Sequence, residues 1–374
     1  MVVFLAARLV LSITAVAGSG ALSESPLWRR YAFSPEEERA VPGLHNAIDG
    51  TFRWDAAWFA RIAQEGHYRE NDSSAAFYPV FPFVTRAVGL ATGMSMLTAG
   101  MVVSNIAFIG SLVVLHALTR LERSESVARR TVILIAFFPT SFYFLAPYSE
   151  SVFLFFTLLS FWLARRNRWV AGGLSGALAA ATRGVGITLA PALAIEAVSQ
   201  WRADGRALRA RLAGSTLVAL GPIAYAAGWL VTAGRPLQPW RAESGLGRGF
   251  SFPLVSLARG IRVAIADILA RDRLISAVEL LFTALAVLLL LVGWRSMRGC
   301  YRAYVSLGLL IPLAFPFVAP PLASLPRFVI VLFPLFWVAA EKIRKTEWFA
   351  TTALVSGLGY VTLAVYFMNW RFVA

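Results

Sequence analysis

Several residue types that stabilise disulfide-rich proteins and metalloproteins are scarce in this sequence. Its 374 residues include one cysteine, Cys300, and three histidines at widely separated positions. A lone cysteine excludes an internal disulfide, and the histidines are too scattered to predict a zinc site. The sequence contains no glycine-rich phosphate-binding loop. The glycines that lie closest together, Gly172, Gly173 and Gly176, are instead typical of close helix packing. We therefore expect no metal and no cofactor.

Charged residues are also rare, at 15% of the chain, whereas 58% of the residues are hydrophobic. The mean hydropathy is +0.66. A soluble protein of this length could not bury so much apolar surface. Several segments reach the roughly 20 apolar residues that cross a bilayer. The composition excludes a soluble enzyme and predicts a polytopic membrane protein.

The net charge of +15 comes almost entirely from arginine, since lysine occurs only at Lys342 and Lys345. The arginines lie mostly in short loops between apolar segments, which is the pattern of cytoplasmic loops rather than of a nucleic-acid surface. Each loop that alternation places inside carries at least three basic residues, and Cys300 falls in one of them. The pattern predicts an N-terminus inside and a C-terminus outside.

The chain is predicted to be one all-α integral-membrane domain over residues 1–374, with about 11 transmembrane helices. Two long outer loops, 21–94 and 234–273, fall on the same side and contribute the active-site face. We expect interfacial helices in the first loop, where Pro79 and Pro82 break any continuous helix. An amphipathic helix is expected at 254–270. The predicted spans are 2–20, 96–119, 131–146, 151–164, 169–182, 184–200, 213–233, 274–293, 303–318, 328–340 and 348–368.

The stretch 52–83 carries acids, bases and aromatic residues between two strongly apolar segments. Asp55, Trp58, Phe59 and Ile62 share one face of a helix, which is apolar except for its first residue. We expect this helix to lie in the membrane surface with its aromatic side chains toward lipid, and Asp55 at the lipid–water boundary. On spacing alone, Asp55 is either a helix N-cap or a functional carboxylate.

Charged side chains near the membrane are costly and usually face a cavity or a partner. Glu150, Arg183 and Arg327 lie at three different outer turns, on the side that also carries Asp55. This shared sidedness predicts that the four side chains meet in one outward-facing cavity.

Two sequence segments of the first outer loop, WDAAWFARIAQEGHY and AFYPVFP, resemble the motifs of PIG-V-type mannosyltransferases, a family with bacterial relatives. Further matches follow in order: PYSES at 147–151, ATRGVGITLAP at 181–191 and LPRFVIVLFP at 325–334. The resemblance implies a GT-C fold, a polyprenyl-phosphate sugar donor and a catalytic acid in the first outer loop. Asp55 matches that acid. The later motifs of the eukaryotic members match this sequence only weakly, at Gln238 and Trp240. The resemblance therefore does not identify the acceptor.

The resemblance implies roles for the remaining polar residues. Inverting transfer of mannose onto a hydroxyl needs one general base, Asp55, with Glu150 as a second carboxylate. The donor phosphate needs guanidinium groups, for which Arg327, Arg183 and Arg241 are candidates; interfacial snorkelling is the alternative for each arginine. The alternative for Glu150 is a favourable helix dipole. The substrate groove is predicted to contain Trp54, Trp58, Phe77, Tyr78 and Tyr148, for which an aromatic belt is the alternative.

We thus expect a mannosyltransferase of a bacterial plasma membrane, with a lipid-linked sugar donor, an acceptor that is a glycolipid, polysaccharide or protein, and no nucleic-acid partner. A transporter or lipid flippase is the alternative. Transporters tend to place polar groups at the bilayer midplane in inverted repeats. Here the polar groups cluster toward one surface, which favours the enzyme.

Overall fold

The computed structural model describes residues 1–22, 43–70, 72–270 and 274–373. Across these ranges the chain is helical without a sheet, and one isolated antiparallel bridge joins Arg248 and Phe317. The helices are α1 (Val2–Gly18), α2 (Asn46–Asp49), α3 (Asp55–Glu65), α4 (Val80–Thr92), α5 (Met96–Glu122), α6 (Glu125–Ala136), α7 (Glu150–Arg165), α8 (Trp169–Ala180), α9 (Leu189–Asp204), α10 (Leu208–Thr216), α11 (Leu220–Ala233), α12 (Gln238–Gly245), α13 (Pro253–Ala270), α14 (Leu274–Gly293), α15 (Gly299–Ala314), α16 (Leu325–Val331), α17 (Pro334–Lys342) and α18 (Thr346–Met368). Single 3₁₀ turns cover Ser73–Ala76, Ser141–Phe144, Gly184–Thr188 and Leu217–Ala219.

Within the described ranges, four helical stretches are long and apolar enough to cross a membrane: Met96–Glu122, Leu208–Ala233, Ile275–Gly293 and Thr346–Met368. The first, third and fourth reproduce predicted spans, and the amphipathic helix expected at 254–270 is α13. The all-α polytopic fold is therefore confirmed. The count of 11 spans stays a prediction, because several apolar helices, such as Trp169–Ala180, are shorter.

Two predicted spans are wrong as single helices. The segment 131–146 contains the end of α6, a turn at Pro139 and a 3₁₀ turn. The segment 328–340 is divided between α16 and α17, and α17 begins at Pro334. In both cases a proline removes a backbone donor and its ring opposes continuation of the preceding turn.

Two further local predictions need correction. Pro79 and Pro82 do not break a helix, because Pro79 is the N-cap of α4 and Pro82 lies in its first turn. Backbone N–H groups have no helical partner there, so a proline costs little. Cys300 lies within α15 rather than in a loop, and its thiol donates a hydrogen bond to the Glu196 carboxylate at 3.2 Å.

The described residues form two compact units. The first unit consists of Met1–Tyr68, Pro79–Val152 and Ala340–Val373, and the second of Arg69–Tyr78 and Phe153–Ala339. In the first unit, α3 packs on α4 and α5, and α1 packs on α18.

In the second unit, α9 packs on α10 and α15, and α13 packs on α14. A Cβ atom at Gly173 would overlap the backbone of Gly214, so α8 and α10 approach as closely as two glycines allow. Gly172 and Gly176 also have close neighbours from α7 and from Val218. The predicted role of these glycines in helix packing is confirmed.

Candidate active site

The helix that carries Asp55 begins at an unusual backbone conformation. Trp54 is the N-cap of α3 with φ 55° and ψ −119°, a region that a non-glycine residue enters at a cost of about 1–3 kcal/mol. Its indole ring is buried and packs edge-on against Trp370 at 5.5 Å and Phe372 at 5.3 Å between ring centroids. Packing of the ring therefore holds the strained turn, and it fixes where α3 starts.

Asp55 is the first residue of α3, and it is half-buried. The alternative interpretation of Asp55 as the N-cap is wrong, since Trp54 occupies that position. A carboxylate in the first turn is stabilised by the positive end of the helix dipole. Asp55 therefore lies at the start of a helix, beside the positive end of the dipole.

The apolar face of α3 has a different partner from the one expected. Phe59 and Ile62 are 4% and 1% exposed, and Phe59 packs edge-on against Phe81 at 4.8 Å between centroids. The prediction that this face meets lipid is wrong for these two residues, because they belong to the core of the first unit. Trp58 is half-buried, and the Arg61 guanidinium lies 4.4 Å from its ring centroid.

A buried hydrogen bond ties the start of α3 to the start of α7. The Tyr148 hydroxyl donates to the carbonyl oxygen of Arg53 at 2.7 Å, with both groups buried. Arg53 lies two residues before Asp55, and Tyr148 lies two residues before Glu150. Glu150 is fully buried and is the first residue of α7. The two predicted carboxylates therefore stand at helix starts that the structure holds together within the first unit.

The bond to Arg53 occupies the hydroxyl of Tyr148, which is 0% exposed. The carbonyl oxygen of Tyr148 accepts a hydrogen bond from the Ser104 hydroxyl at 2.9 Å. In this structure Tyr148 therefore connects elements of the core. Its predicted place in the substrate groove, like that of the buried Trp54, stays a prediction.

The predicted phosphate-binding arginines belong to the second unit. The Arg183 guanidinium carbon lies 5.3 Å from the ring centroid of Phe328, the residue that follows Arg327. Arg327 is 7% exposed in the first turn of α16, behind Ser324, which is the N-cap with φ 68°. The structure thus brings Arg183 to the segment that carries Arg327. Arg241 is exposed on α12.

The predicted groove residues Phe77 and Tyr78 belong to the same unit as Arg183, and Tyr78 lies close to it. A Cβ atom at Gly184 would come within 2.7 Å of the Tyr78 hydroxyl, so this hydroxyl lies against the backbone next to Arg183. The Tyr78 ring packs against Tyr225 at 5.1 Å between centroids, and Phe77 is buried. Burial, reinforced by the negative charge of Glu243, raises the pKa of Tyr78 to about 12. The hydroxyl therefore remains protonated at neutral pH.

Arg248 is a further arginine of this region, and no sequence pattern pointed to it. Its guanidinium carbon lies 4.2 Å from the ring centroid of Phe317 and 5.6 Å from that of Phe328. Its Nε atom is 3.3 Å from a carboxylate oxygen of Glu243. The sequence around it, GLGRGF, has no helical or strand periodicity and matches none of the motifs above. Only its position in the second predicted outer loop, 234–273, could have drawn attention to it.

The site residues therefore form one group in each unit. The first unit holds Asp55 and Glu150, and the second holds the arginines, Phe77 and Tyr78. That all of them line a single cavity stays a prediction. Over the described residues, no group of three histidine, cysteine or carboxylate side chains is suited to hold a metal ion.

Comparison with known proteins adds a family and several relatives. The family described as Mannosyltransferase (PIG-V) matches residues 2–209. GPI alpha-1,6-mannosyltransferase 2 of Mus musculus is 32% identical over an alignment of 168 residues that covers 42% of this chain and 33% of that protein. GPI mannosyltransferase 2 of Drosophila melanogaster is 27% identical over 41% of this chain and 37% of the relative. The chain thus matches about a third of the length of these curated relatives.

Two solved structures of the Archaeoglobus fulgidus oligosaccharyltransferase also align with the chain. One, a complex with zinc and sulfate, has a TM-score of 0.44 at 13% identity and covers 99% of this chain and 53% of that chain. The other, tethered to an acceptor peptide, has a TM-score of 0.46 at 12% identity, with 99% and 56% covered.

Proposed function

Because the chain belongs to the PIG-V mannosyltransferase family, we propose that it transfers mannose from a polyprenyl-phosphate donor to a hydroxyl group of an acceptor. The acceptor is a glycolipid, a polysaccharide or a protein, and the reaction takes place on the outer face of the membrane. The fold that goes with this family is GT-C, and the all-helical structure with membrane-crossing helices agrees with it.

The observation that supports the catalytic part of this proposal is the hydrogen bond that joins the starts of α3 and α7. The bond between Tyr148 and Arg53 holds two helix starts together, and the first residue of each helix is an acid, Asp55 or Glu150. Both acids lie inside the matched region 2–209. A strained turn at Trp54 directly before Asp55 is the kind of feature that concentrates at functional sites.

In the proposed reaction, the Asp55 carboxylate removes the proton from the acceptor hydroxyl. The acceptor oxygen attacks C1 of mannose and forms the new glycosidic bond. The bond between C1 and the phosphate oxygen breaks, and its electron pair leaves with the polyprenyl phosphate. Attack from the face opposite the leaving group inverts C1. Glu150 orients Asp55 or the acceptor, and a positioned base contributes about 10²–10⁴-fold to such a step.

The donor is held by the second unit. Arg183 and Arg327 supply planar guanidinium groups, which pair with phosphate oxygens in a bidentate way, and Arg241 is a further candidate. Positive charge near the phosphate also stabilises the negative charge that grows on it as the C1 bond breaks. Tyr78, whose hydroxyl stays protonated, is available as a neutral hydrogen-bond donor near Arg183.

The protein is an integral membrane protein, and we place it in a bacterial plasma membrane with its N-terminus inside. This orientation rests on the arginine-rich loops, each of which carries at least three basic residues. It puts both long loops, and with them Asp55, on the outer side.

The direct test offers radiolabelled polyprenyl-phosphate mannose to membranes with and without the chain. We expect a labelled product that depends on the chain and not on a nucleotide sugar. A product formed only from a nucleotide sugar would contradict the proposed donor. A labelled product whose mannose is linked with retained configuration would contradict the single-step mechanism.

A further inference from the structure

Two tryptophans with strained backbones pack against each other at the start of α3. Trp54 has φ 55° and Trp370 has φ 56°, and both angles lie in the positive range that favours glycine. Their rings meet edge-on with 5.5 Å between centroids, and both side chains are buried. Non-glycine residues with such backbones concentrate at functional sites. The ring contact therefore joins two places where the backbone is strained.

Trp370 occupies a position where glycine is usual. Asn369 is the C-cap of α18. The Trp370 N–H then donates to the Phe367 carbonyl at 3.1 Å, and the Arg371 N–H donates to the Tyr366 carbonyl at 3.0 Å. This pair of bonds is the Schellman motif, in which glycine is the common residue at the left-handed position. What tryptophan has there and glycine lacks is a large ring, and this ring is 0% exposed.

The Trp370 ring contacts both residues that directly precede Asp55. Besides the Trp54 ring, it has the Arg53 guanidinium carbon 5.2 Å from its centroid. The Nε atom of Arg53 also donates to the carbonyl oxygen of Met368, the last residue of α18, at 3.2 Å. The end of α18 therefore supports the turn that leads into Asp55.

The segment after α18, residues 369–373, is itself fixed within the first unit. At its beginning, the Asn369 amide donates to the Gly18 carbonyl at 2.7 Å, which ties it to the end of α1. At its other end, the Tyr143 hydroxyl donates to the Val373 carbonyl. A segment that is bonded at both ends can hold a strained turn in one position.

The turn before Asp55 is also bonded to the second predicted carboxylate. The Arg53 carbonyl accepts the 2.7 Å bond from Tyr148, two residues before Glu150. A shift of this turn would therefore move Asp55 relative to Glu150. A displacement of about 1 Å at a reacting group can lower a rate about 10²-fold.

We propose that Trp370 is a positioning residue for the proposed base, because its ring holds the Trp54 turn and with it the start of α3. This inference rests on the proposed function, which gives Asp55 its catalytic role. Trp370 contacts neither donor nor acceptor in this scheme. Its loss should therefore lower kcat and leave the donor KM unchanged. The competing explanation is that Trp370 only fills the core.

The main variant is Trp370→Leu, which keeps an apolar side chain and removes the ring. Transfer from radiolabelled polyprenyl-phosphate mannose is measured in membranes that contain each variant, at matched amounts of folded protein. We expect kcat to fall about 30- to 100-fold and the donor KM to stay at the wild-type value. Trp370→Phe restores an aromatic edge contact and should recover kcat to within about fivefold of the wild type.

Trp337→Leu is the matched control. Trp337 is also 0% exposed, and it packs edge-on against Tyr301 at 4.8 Å and Phe333 at 5.0 Å between centroids, but it belongs to the second unit. Its substitution removes the same ring from a buried aromatic cluster. We expect lower thermal stability with a wild-type kcat per folded molecule.

A double variant separates this inference from the assignment of Asp55. If Trp370 acts through Asp55, adding Trp370→Leu to Asp55→Asn removes little further activity, because the group that Trp370 positions is already gone. Losses that multiply would show that Trp370 acts elsewhere, and they would overturn the inference. Wild-type transfer in Asp55→Asn would refute the proposed base, and the role of Trp370 would be refuted with it.

The single variants decide the remaining cases. Wild-type kcat in Trp370→Leu, with transfer impaired in Asp55→Asn, overturns the role of Trp370 and leaves the base standing. An equal fall of kcat in Trp337→Leu also overturns it, because any buried cavity would then have the same effect.

Phe372→Leu keeps the test decisive should Trp370→Leu not fold. The half-buried Phe372 ring is the second edge-on neighbour of Trp54, at 5.3 Å between centroids. Its loss should loosen the same turn less severely, and we expect kcat to fall about 3- to 10-fold with an unchanged donor KM. A wild-type kcat in this variant would show that ring contacts on Trp54 do not position the base.

Discussion

Arginine side chains gather at two places in the second unit, and the groups that hold them differ. Around Glu196, the Arg165 and Arg298 guanidinium groups lie 3.0 and 3.1 Å from one carboxylate oxygen. The Gln200 amide donates to the same oxygen at 2.9 Å, and the Cys300 thiol donates to the second oxygen at 3.2 Å. A carboxylate that is 1% exposed therefore accepts hydrogen bonds on both oxygens from four side chains.

Around Phe328, by contrast, the centre of the cluster is a ring with no charge. The Arg183 and Arg248 guanidinium carbons lie 5.3 and 5.6 Å from its centroid, and the Nε atom of Arg248 lies 3.3 Å from the Glu243 carboxylate. A buried carboxylate surrounded by donors forms a complete structural joint between α7, α9 and α15. Around Phe328 the two guanidinium groups share an uncharged ring, and this is where we propose that the donor phosphate binds. The two clusters thus use the same side chain with different partners, a carboxylate in one and an aromatic ring in the other.

The largest expected effect concerns Asp55, the carboxylate that we propose to be the catalytic base. Its substitution tests whether Asp55 and Glu196 differ in role, one catalytic and the other structural. Asp55→Asn keeps the shape of the side chain at the first position of α3 but removes the base. We expect normal folding and a fall in mannose transfer of about 10²–10⁴-fold, measured at matched amounts of inserted protein.

Donor binding is the internal control for Asp55→Asn, because Asp55 does not hold the phosphate in the proposed site. Its affinity for polyprenyl phosphate should stay within about twofold of the wild type, a range that corresponds to less than about 0.5 kcal/mol. Transfer at the wild-type rate in Asp55→Asn would remove Asp55 from the mechanism.

The second prediction concerns the carboxylate that we assign to structure. Glu196→Gln leaves two buried or half-buried guanidinium groups without their anion, and breaking such a buried pair costs about 3–5 kcal/mol of stability. Thermal unfolding in detergent measures the loss. Transfer per folded molecule should remain close to the wild type. A variant that is fully stable yet inactive would reverse the roles assigned to the two clusters.

The third prediction compares one arginine from each cluster with the same substitution. Arg183→Gln should raise the donor KM by roughly 10- to 100-fold, since a charged hydrogen bond contributes about 1.5–3 kcal/mol. Arg165→Gln should lower stability and leave the donor KM unchanged. Steady-state kinetics and thermal unfolding on both variants separate the two effects. Equal changes in KM would show that the clusters do not differ in function.

The smallest expected effect concerns the ion pair between Asp204 and Arg211, two residues that follow Glu196 closely in the sequence. The Arg211 guanidinium donates to Asp204 at 2.9 Å and lowers the pKa of that carboxyl from 3.8 to about 2. Because the folded pKa is depressed, the stabilisation is complete above about pH 4 and is lost as the pH falls toward 2.

Unfolding midpoints of the wild type and of Asp204→Asn, measured between pH 7 and pH 3, test this pair. The wild type should be slightly more stable at neutral pH, and the gap should narrow as the pH falls below about 4. A gap that is constant with pH would mean that the charge of Asp204 contributes nothing.

Much of the fold follows from the sequence alone. The helix α14 has the bounds expected from its apolar run, 274–293, and α5, α13 and α18 lie where hydropathy or amphipathic periodicity placed them. These properties are local, because each depends on residues within one segment. The Trp-Asp motif likewise led to Asp55 without any knowledge of its neighbours.

Local patterns did not decide what each face contacts. The period of α3 was found correctly, yet Phe59 and Ile62 meet the core of the first unit rather than lipid. Lipid chains and a protein core are equally apolar, so hydropathy cannot distinguish them. The tertiary structure settles this through the packing of α3 on α4 and α5.

The sequence by itself thus determined the class of the protein, most of its helices and its family, and it predicted a catalytic role for Asp55. Only the tertiary structure decided that Tyr148 joins the starts of α3 and α7, and that Arg183 and Arg248 share Phe328. The physical reason is the distance along the chain over which each interaction acts. Hydropathy and helical period act between neighbours in the chain, whereas hydrogen bonds and cation–ring contacts join residues that become close only when the helices pack.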